Sequence, residues 1–363
     1  MQVIHGEESI SIRSSTTTAW VTLRGAHVAP VEFALGSRTV QPYSLSPWLP
    51  AEQRGQDPLL QVLRGDFFCL PFGAQSAGPP HGVIAGNTWT VIDERPQALT
   101  LRMTAEDIGA TVTKSVEVRD GDTSLYQQFE IEGLSGLYNY GTHPVLDISG
   151  YPTGSVELTT STIRYGSVAP TLFSDPERGE HQILEIGGTF ASLASVPRAD
   201  GQTLDLSHLP TPPGHEDLVM IAPRVRTGLA WNALRFSGHA WFSLRRVEDF
   251  PTTVLWISNG GRSAAPWSGR HVGRIGIEDV CSYFAEGHEP SITSPLEHVG
   301  IPTAREFRPT EAVRLRVVQA VVALPEEFGR IADIRERDGR AVIVDISGCE
   351  LLTATSTAYL SEV

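Results

Sequence analysis

Residues 256–283 combine a carboxylate pair with aromatic and basic side chains. The stretch reads WISNGGRSAAPWSGRHVGRIGIEDVCSY and includes two tryptophans and three arginines. Glu278 and Asp279 lie between Ile277 and Val280, where a buried carboxylate is costly unless it has partners or opens into a cleft. Flat aromatic faces, arginine forks and a carboxylate on a strand are groups suited to binding a sugar. We therefore expect one wall of a ligand cleft here, with only one of the two carboxylates facing it, because successive strand residues alternate between faces.

Residues 63–89 carry a histidine in a proline-rich loop. His81 follows two prolines and precedes Gly82, and Arg64 lies near the start of the stretch. Taken alone, His81 fits an exposed loop histidine better than a functional one, and Arg64 fits a solvated or surface-paired arginine better than a ligand-binding one. The two become candidates for a site only together with the other stretches.

Residues 138–149, YNYGTHPVLDIS, hold a second histidine. His143 precedes Pro144, which favours an extended backbone at the histidine. On a strand, His143 and Asp147 share one face, but no further ligands follow at metal-binding spacing, so we predict no metal site. The plainer alternative is a histidine at a strand end that is bonded to a backbone carbonyl.

Short alternating runs of apolar and polar residues predict the elements that must position these side chains. The runs are bounded by Gly, Pro and Asp turns and indicate strands. They cover residues 10–13, 19–24, 88–92, 99–103, 112–118, 124–132 and 313–317. The fold class is therefore all-β, most simply two large stacked sheets.

One helix is predicted over residues 325–339. Pro325 suits a first helical turn, and two glutamates follow it at the positive end of the helix. Phe328, Ile331 and Ile334 form an apolar stripe at helical spacing, and Gly339 is a stop signal.

Composition narrows the class of partner. The chain of 363 residues has a net charge of −14, which argues against nucleic acid and anionic membranes as partners. No apolar run is long enough to span a membrane, and the N-terminus lacks the apolar segment of a signal peptide. Three cysteines without metal spacing suggest reduced thiols in a cytoplasmic protein. Strand patterns look alike along the chain, so we expect a single domain over residues 1–363.

Three short motifs occur in an order that resembles the aldose 1-epimerase (galactose mutarotase-like) superfamily, in an uncharacterised branch. They are His81-Gly82 followed by Trp89, then Gly141-Thr142-His143-Pro144, then Gly276-Ile277-Glu278. The resemblance runs from about residue 20 to residue 284. It implies a β-supersandwich of large antiparallel sheets with few short helices.

The resemblance also implies an activity, the interconversion of the anomers of a free or modified sugar by acid–base ring opening. His143 would be the general acid and Glu278 the general base, with no metal and no organic cofactor. A neighbouring carboxylate should raise the pKa of His143. The catalytic rate would then fall at alkaline pH as His143 loses its proton, and fall at acid pH as Glu278 gains one. The substrate-binding candidates are Arg64, His81, Asn87, Trp89, Trp256 and Trp267. Phe68 is a further stacking candidate, and roughly half of the four aromatics should prove to be core.

Two other functions fit the same residues. A carbohydrate-binding protein of this fold needs the aromatic rings and Arg64 but not the acid–base pair. A polysaccharide lyase or glycoside hydrolase would use a carboxylate pair or a Tyr/His base on the same architecture. In each case the expected partner is a small-molecule carbohydrate, and a homodimer is possible.

Overall fold

The computed structural model describes residues 1–362, and 48% of the chain lies in strands. Within the described residues there are two short α-helices, α1 (Pro58–Val62) and α2 (His288–Ile292). Single 3₁₀ turns cover Pro50–Gln53, Val83–Ala85, Pro176–Arg178, Glu297–Val299 and Ala358–Ser361. The prediction of an all-β fold with few short helices is confirmed.

The strands are numbered in chain order. They are β1 (Gln2–Ile4), β2 (Glu7–Arg13), β3 (Thr17–Thr22), β4 (Val28–Leu35), β5 (Arg38–Val40), β6 (Phe68–Cys69), β7 (Thr90–Arg95), β8 (Ala98–Ala105), β9 (Ala110–Glu117), β10 (Ser124–Glu132), β11 (Gly136–Tyr138), β12 (Tyr140–Thr142), β13 (Val145–Asp147), β14 (Val156–Thr160), β15 (Ile163–Val168), β16 (Thr189–Phe190), β17 (Val196–Pro197), β18 (Thr203–Leu204), β19 (His208–Leu209), β20 (His215–Pro223), β21 (Leu229–Phe236), β22 (His239–Arg246), β23 (Thr252–Asn259), β24 (Arg274–Cys281), β25 (Arg305–Phe307), β26 (Val313–Ala323), β27 (Ile331–Arg337), β28 (Arg340–Asp345) and β29 (Glu350–Ser356).

Two large antiparallel sheets dominate. The nine-stranded sheet has the order β19-β14-β21-β22-β26-β10-β9-β8-β7. The eight-stranded sheet has the order β16-β15-β20-β23-β24-β12-β6, with β13 paired to β24. A five-stranded sheet, β1 to β5, a three-stranded sheet, β27 to β29, and two two-stranded ladders complete the set.

One apolar cluster joins the facing sides of the two large sheets. Phe129 and Leu234 of the nine-stranded sheet share this cluster with Leu255 and Ile277 of the eight-stranded sheet, and all four are buried. Because strand residues alternate between faces, Trp256 and Val254 on β23 belong instead to a second cluster on the other face of the eight-stranded sheet. That outer face is where a site can open to solvent.

The three-stranded sheet covers the outer face of the nine-stranded sheet. Ile334 and Ile343 from the smaller sheet pack with Tyr126, Phe242 and other apolar residues of the larger one. These contacts bury a sheet face that would otherwise expose aromatic rings to water.

The helix predicted over residues 325–339 is wrong, because β27 occupies most of it. Ile331 and Ile334 are both buried although they are three residues apart, since the register of β27 shifts between Ile331 and Asp333. This bulge gives a strand the spacing of a helical stripe. Asp338 and Gly339 both have positive φ in the turn between β27 and β28, so the glycine is a hairpin residue and not a helix stop.

Candidate active site

The floor of the candidate site is the outer face of β23 and β24. Glu278 lies opposite Val254 in the ladder and is 1% exposed. Its neighbour Asp279 points to the opposite face, where its carboxylate pairs with Arg245 at 2.8 Å and accepts a hydrogen bond from Thr253 at 2.8 Å. The expectation that only one carboxylate of the pair faces the cleft is therefore confirmed.

His143 lies in the break between β12 and β13. Its backbone N–H donates to the carbonyl oxygen of Phe67 at 2.9 Å and to Oδ1 of Asp66 at 3.0 Å. Its ring stacks on the ring of Phe67, with centroids 4.5 Å apart, and the other face of Phe67 stacks on His27 at 4.4 Å. Backbone bonds and stacking together fix both the position and the plane of the imidazole.

His143 and Glu278 meet at the floor of the cleft. Nε2 of His143 is 3.3 Å from Oε1 of Glu278, and both side chains are almost fully buried. Nδ1 of His143 and Oε1 of Glu278 have no hydrogen-bond partner among the described residues. Buried polar atoms normally have hydrogen-bond partners, so two buried atoms that lack one are available to bond to a ligand.

Burial sets the protonation of this pair. Desolvation raises the pKa of Glu278 well above 4.5, and the nearby Asp66 carboxylate adds to the rise. Desolvation also lowers the pKa of His143 well below 6.5, with the neighbouring His81 as the next cause. The expected rise in the His143 pKa is therefore wrong. An ion pair without further hydrogen bonds does not recover the cost of burying two charges.

His81 faces the same two residues. Its ring centroid is 4.9 Å from that of His143, and its Nδ1 accepts a hydrogen bond from the backbone N–H of Gly73 at 3.2 Å. Burial lowers the pKa of His81 to about 4, so the ring is neutral and the hydrogen is on Nε2. His81 has a φ of 62°, an uncommon conformation that costs energy in a residue other than glycine. The structure thus brings His81, His143 and Glu278 together, as the sequence predicted.

The cleft above these residues has a volume of about 500 Å³ and is lined on one side by Trp256 and Trp267. The Trp256 ring is stacked on His271 at 5.3 Å, and its indole N–H donates to Oε2 of Glu216 at 3.2 Å. Trp267 meets Trp256 edge to face, with centroids 5.7 Å apart. Both tryptophans therefore line the cleft as predicted, held rigidly by their neighbours.

Three predicted substrate-binding residues lie elsewhere. Arg64 is fully buried, and its guanidinium donates to the carbonyl oxygens of Ile4, His5 and Val62. Trp89 is 2% exposed in the core between the large sheets. Asn87 is exposed and does not line the cleft.

The structure therefore corrects the prediction that these three side chains bind a ligand in the cleft. The donors of Arg64 are bonded to backbone carbonyls, Trp89 packs in the core, and Asn87 lies outside the cleft. Phe68 is likewise a core residue, since it stacks on Phe129 at 4.3 Å. Of the four aromatic candidates, two line the cleft and two are core.

The sequence reasoning missed Phe67 and Arg262. Phe67 is the ring between two histidines, and its only sequence signal is the aromatic pair before Cys69. Arg262 is one of the three arginines in residues 256–283, and its guanidinium lies in the cleft between aromatic rings. The sequence signal for this position is the pair of glycines before Arg262, because glycine allows another segment of backbone to approach closely. A Cβ on Gly261 would lie 2.4 Å from the backbone nitrogen of Glu216.

Two structural features are absent from residues 1–362. No group of three His, Cys, Asp or Glu side chains there is placed to hold a metal ion. No helix in that part of the chain is long and apolar enough to cross a membrane.

Comparisons with known proteins identify the fold. No family model and no curated protein matches the sequence. Among solved structures, a galactose mutarotase related enzyme from Lactobacillus acidophilus is 10% identical, with a TM-score of 0.54 over 87% of this chain and 98% of that one. An aldose epimerase homologue from C. elegans is 12% identical, with a TM-score of 0.58 over 88% of this chain and all of that one. A galactose mutarotase-like protein from Lactobacillus casei is 14% identical, with a TM-score of 0.55 over 86% of this chain and all of that one.

The protein therefore has the galactose mutarotase-like fold, and the resemblance found in the three sequence motifs is confirmed at the level of the fold. At 10–14% identity these matches establish architecture, and activity has to be argued from the site itself.

Proposed function

We propose that the protein is an aldose 1-epimerase-like enzyme that interconverts the anomers of a free sugar by acid–base ring opening. The observation that carries the proposal is the His143–Glu278 pair, with Nε2 and Oε1 3.3 Å apart at the floor of a cleft. Its partner is then a small-molecule carbohydrate, in keeping with the net charge of −14.

The reaction needs one proton delivered and one removed. Since burial leaves the proton on Glu278 and His143 neutral, Glu278 gives its proton to the ring oxygen while Nε2 of His143 takes the proton of the anomeric hydroxyl. The bond between the anomeric carbon and the ring oxygen breaks, and the anomeric carbon becomes an aldehyde. Rotation about the next carbon–carbon bond exposes the other face, and ring closure returns each proton to its donor.

The resemblance implies that His143 is the general acid and Glu278 the general base. In the first step of the mechanism proposed here, these two roles are exchanged. Each residue still serves once as acid and once as base in a full cycle. His81 supports the step, because its Nε2–H is free to donate to an oxygen of the sugar while Gly73 holds the ring in place.

The experiment is anomer exchange measured by polarimetry and one-dimensional NMR across a panel of free aldoses. The wild-type protein should accelerate exchange of at least one sugar. Glu278→Gln and His143→Asn should each lower turnover by about 10²–10⁴-fold while sugar binding survives.

Binding of a sugar without any acceleration by the wild-type protein would favour a non-catalytic carbohydrate-binding protein instead. Binding by the two variants is measured by calorimetry, so that loss of chemistry is separated from loss of the cleft.

A further inference from the structure

Arg262 is held in the cleft by two loops that are bonded to each other. Arg262 pairs with Glu180 in an isolated antiparallel bridge, and the N–H of His181 donates to the carbonyl oxygen of Gly261 at 2.9 Å. The hydroxyl of Ser263 donates to the carbonyl oxygen of Gly179 at 2.9 Å. The backbone beneath the arginine is therefore fixed on both sides.

Aromatic rings surround the guanidinium. Its Cζ is 4.9 Å from the ring centroids of Phe173 and Trp267 and 5.9 Å from that of Trp256. Rings hold the flat group in place without using its N–H donors. The donors at the edge of the fork are left for another partner.

The fork has unused hydrogen-bonding capacity. Nε is 3.7 Å from Oε1 of Glu180, which is longer than a hydrogen bond. Nε is also buried without a partner among residues 1–362, and the side chain is 13% exposed. Arg262 lines the cleft, and a mostly buried guanidinium that still has an unpaired donor is a feature of a ligand site.

The charges around the fork favour an uncharged ligand. With Glu278 protonated, the charges that line the cleft are Glu180 and Glu286 against Arg178 and Arg262, which balance, and Glu216 lies behind Trp256. An anionic ligand would compete with Glu180 for Arg262 and would be close to other carboxyl groups. Neutral hydroxyls accept hydrogen bonds from the fork without that repulsion.

Trp256 relates the fork to the reacting pair. Its ring centroid is 5.8 Å from the ring of His143 and 5.9 Å from Cζ of Arg262. A pyranose whose anomeric edge meets His143 and Glu278 therefore extends along Trp256 towards Arg262.

We infer that Arg262 is a specificity-determining residue, whose fork binds adjacent hydroxyls of a neutral sugar on the edge away from the anomeric carbon. The inference rests on the proposed function and names its substrate class: neutral aldoses rather than sugar acids or sugar phosphates.

The test uses Arg262→Lys, which keeps the charge and loses the fork. Arg270→Lys is the matched control, because Arg270 lies on the same loop but pairs with Glu52 at 3.2 Å, away from the cleft. The probes are D-glucose and D-galactose, with their monodeoxy analogues and 6-phosphates. Arg262→Lys should raise KM for the better neutral sugar by about 10-fold and change kcat by less than about 3-fold. Arg270→Lys should leave both unchanged.

The deoxy sugars identify the hydroxyls. At least one monodeoxy analogue should bind the wild-type protein more weakly than the parent sugar does. Arg262→Lys should not weaken binding of that analogue further, because the analogue lacks the hydroxyl that Arg262 contacts. If every analogue responds to Arg262→Lys as the parent sugar does, or if KM does not change, the inference is overturned. The neutral-sugar assignment would be overturned if a 6-phosphate had a lower KM than its parent sugar in the wild-type protein and lost this advantage in Arg262→Lys.

The outcome is separable from that of the proposed function. If the wild-type protein accelerates no sugar, the proposed function fails, and the same comparisons are made with Kd from calorimetry. A roughly 10-fold weaker Kd with Arg262→Lys, but not with Arg270→Lys, would still support the sugar contact.

Discussion

Replacing Glu278 by glutamine should stabilise the fold, and increasingly so as the pH rises. In the folded protein Glu278 is 1% exposed, and its pKa lies well above 4.5 because its charge would lose hydration. In the unfolded chain the carboxyl ionises at its ordinary pKa. Between these two pKa values the folded state holds a proton that the unfolded state releases, so stability falls as the pH rises.

The magnitude follows from proton linkage. Each pH unit between the two pKa values costs the wild-type protein about 1.4 kcal/mol relative to a residue that does not ionise. His143 contributes the opposite slope below pH 6.5, because its pKa is lowered. That contribution is present in both proteins, so it largely cancels in the difference between wild type and Glu278→Gln.

The assay is urea unfolding followed by tryptophan fluorescence at a series of pH values from about 5 upwards, because the slope begins above the ordinary pKa of the carboxyl group. Glu286→Gln, at the mouth of the same cleft, controls for the loss of one formal negative charge. The advantage of Glu278→Gln should grow with pH. A difference that stays constant over this range would refute the reasoning, because Glu278 would then ionise normally in the fold. The role of general base in the first step would in that case return to Glu278.

Three further substitutions test other parts of the site. Arg64→Met should cost about 3 kcal/mol of stability in urea unfolding, because it removes donors from buried carbonyls. It should leave KM unchanged, and a raised KM would place Arg64 back in the cleft. Phe67→Leu should lower kcat more than it raises KM, because the His143 ring loses its stacking partner. Equal effects on both constants would contradict that positioning role. Gly276→Ala would place a Cβ 2.3 Å from Oε1 of Glu278. It should therefore reduce turnover with little change in sugar Kd, and wild-type turnover would show that the carboxyl can move aside without consequence.

The strand pattern and the three ordered motifs were sufficient to predict the fold and the meeting of His81, His143 and Glu278. Alternation on β24 also predicted correctly that Asp279 faces away from Glu278. These inferences succeeded because local periodicity decides which face of a sheet a side chain occupies.

Features that depend on distant partners could not be predicted. Arg64 was assigned to the ligand because an arginine fork suits hydroxyls, but the carbonyls of Ile4 and His5 use that fork. The protonation of His143 was misjudged because a sequence gives the neighbouring carboxylate but not the depth of burial. The helix over residues 325–339 failed for a third reason, since a bulge at Ile331 gave a strand the spacing of a helix.

The three-stranded sheet that covers the nine-stranded sheet has a consequence for biosynthesis. A ribosome makes β22 and β26 before β27 to β29, so the outer face with Tyr126 and Phe242 is complete before its cover exists. During that interval the nascent chain presents aromatic rings on a finished sheet, which is the kind of surface that chaperones bind and that drives aggregation. Expression yield should therefore depend on how quickly the small sheet docks, independently of any change in the cleft.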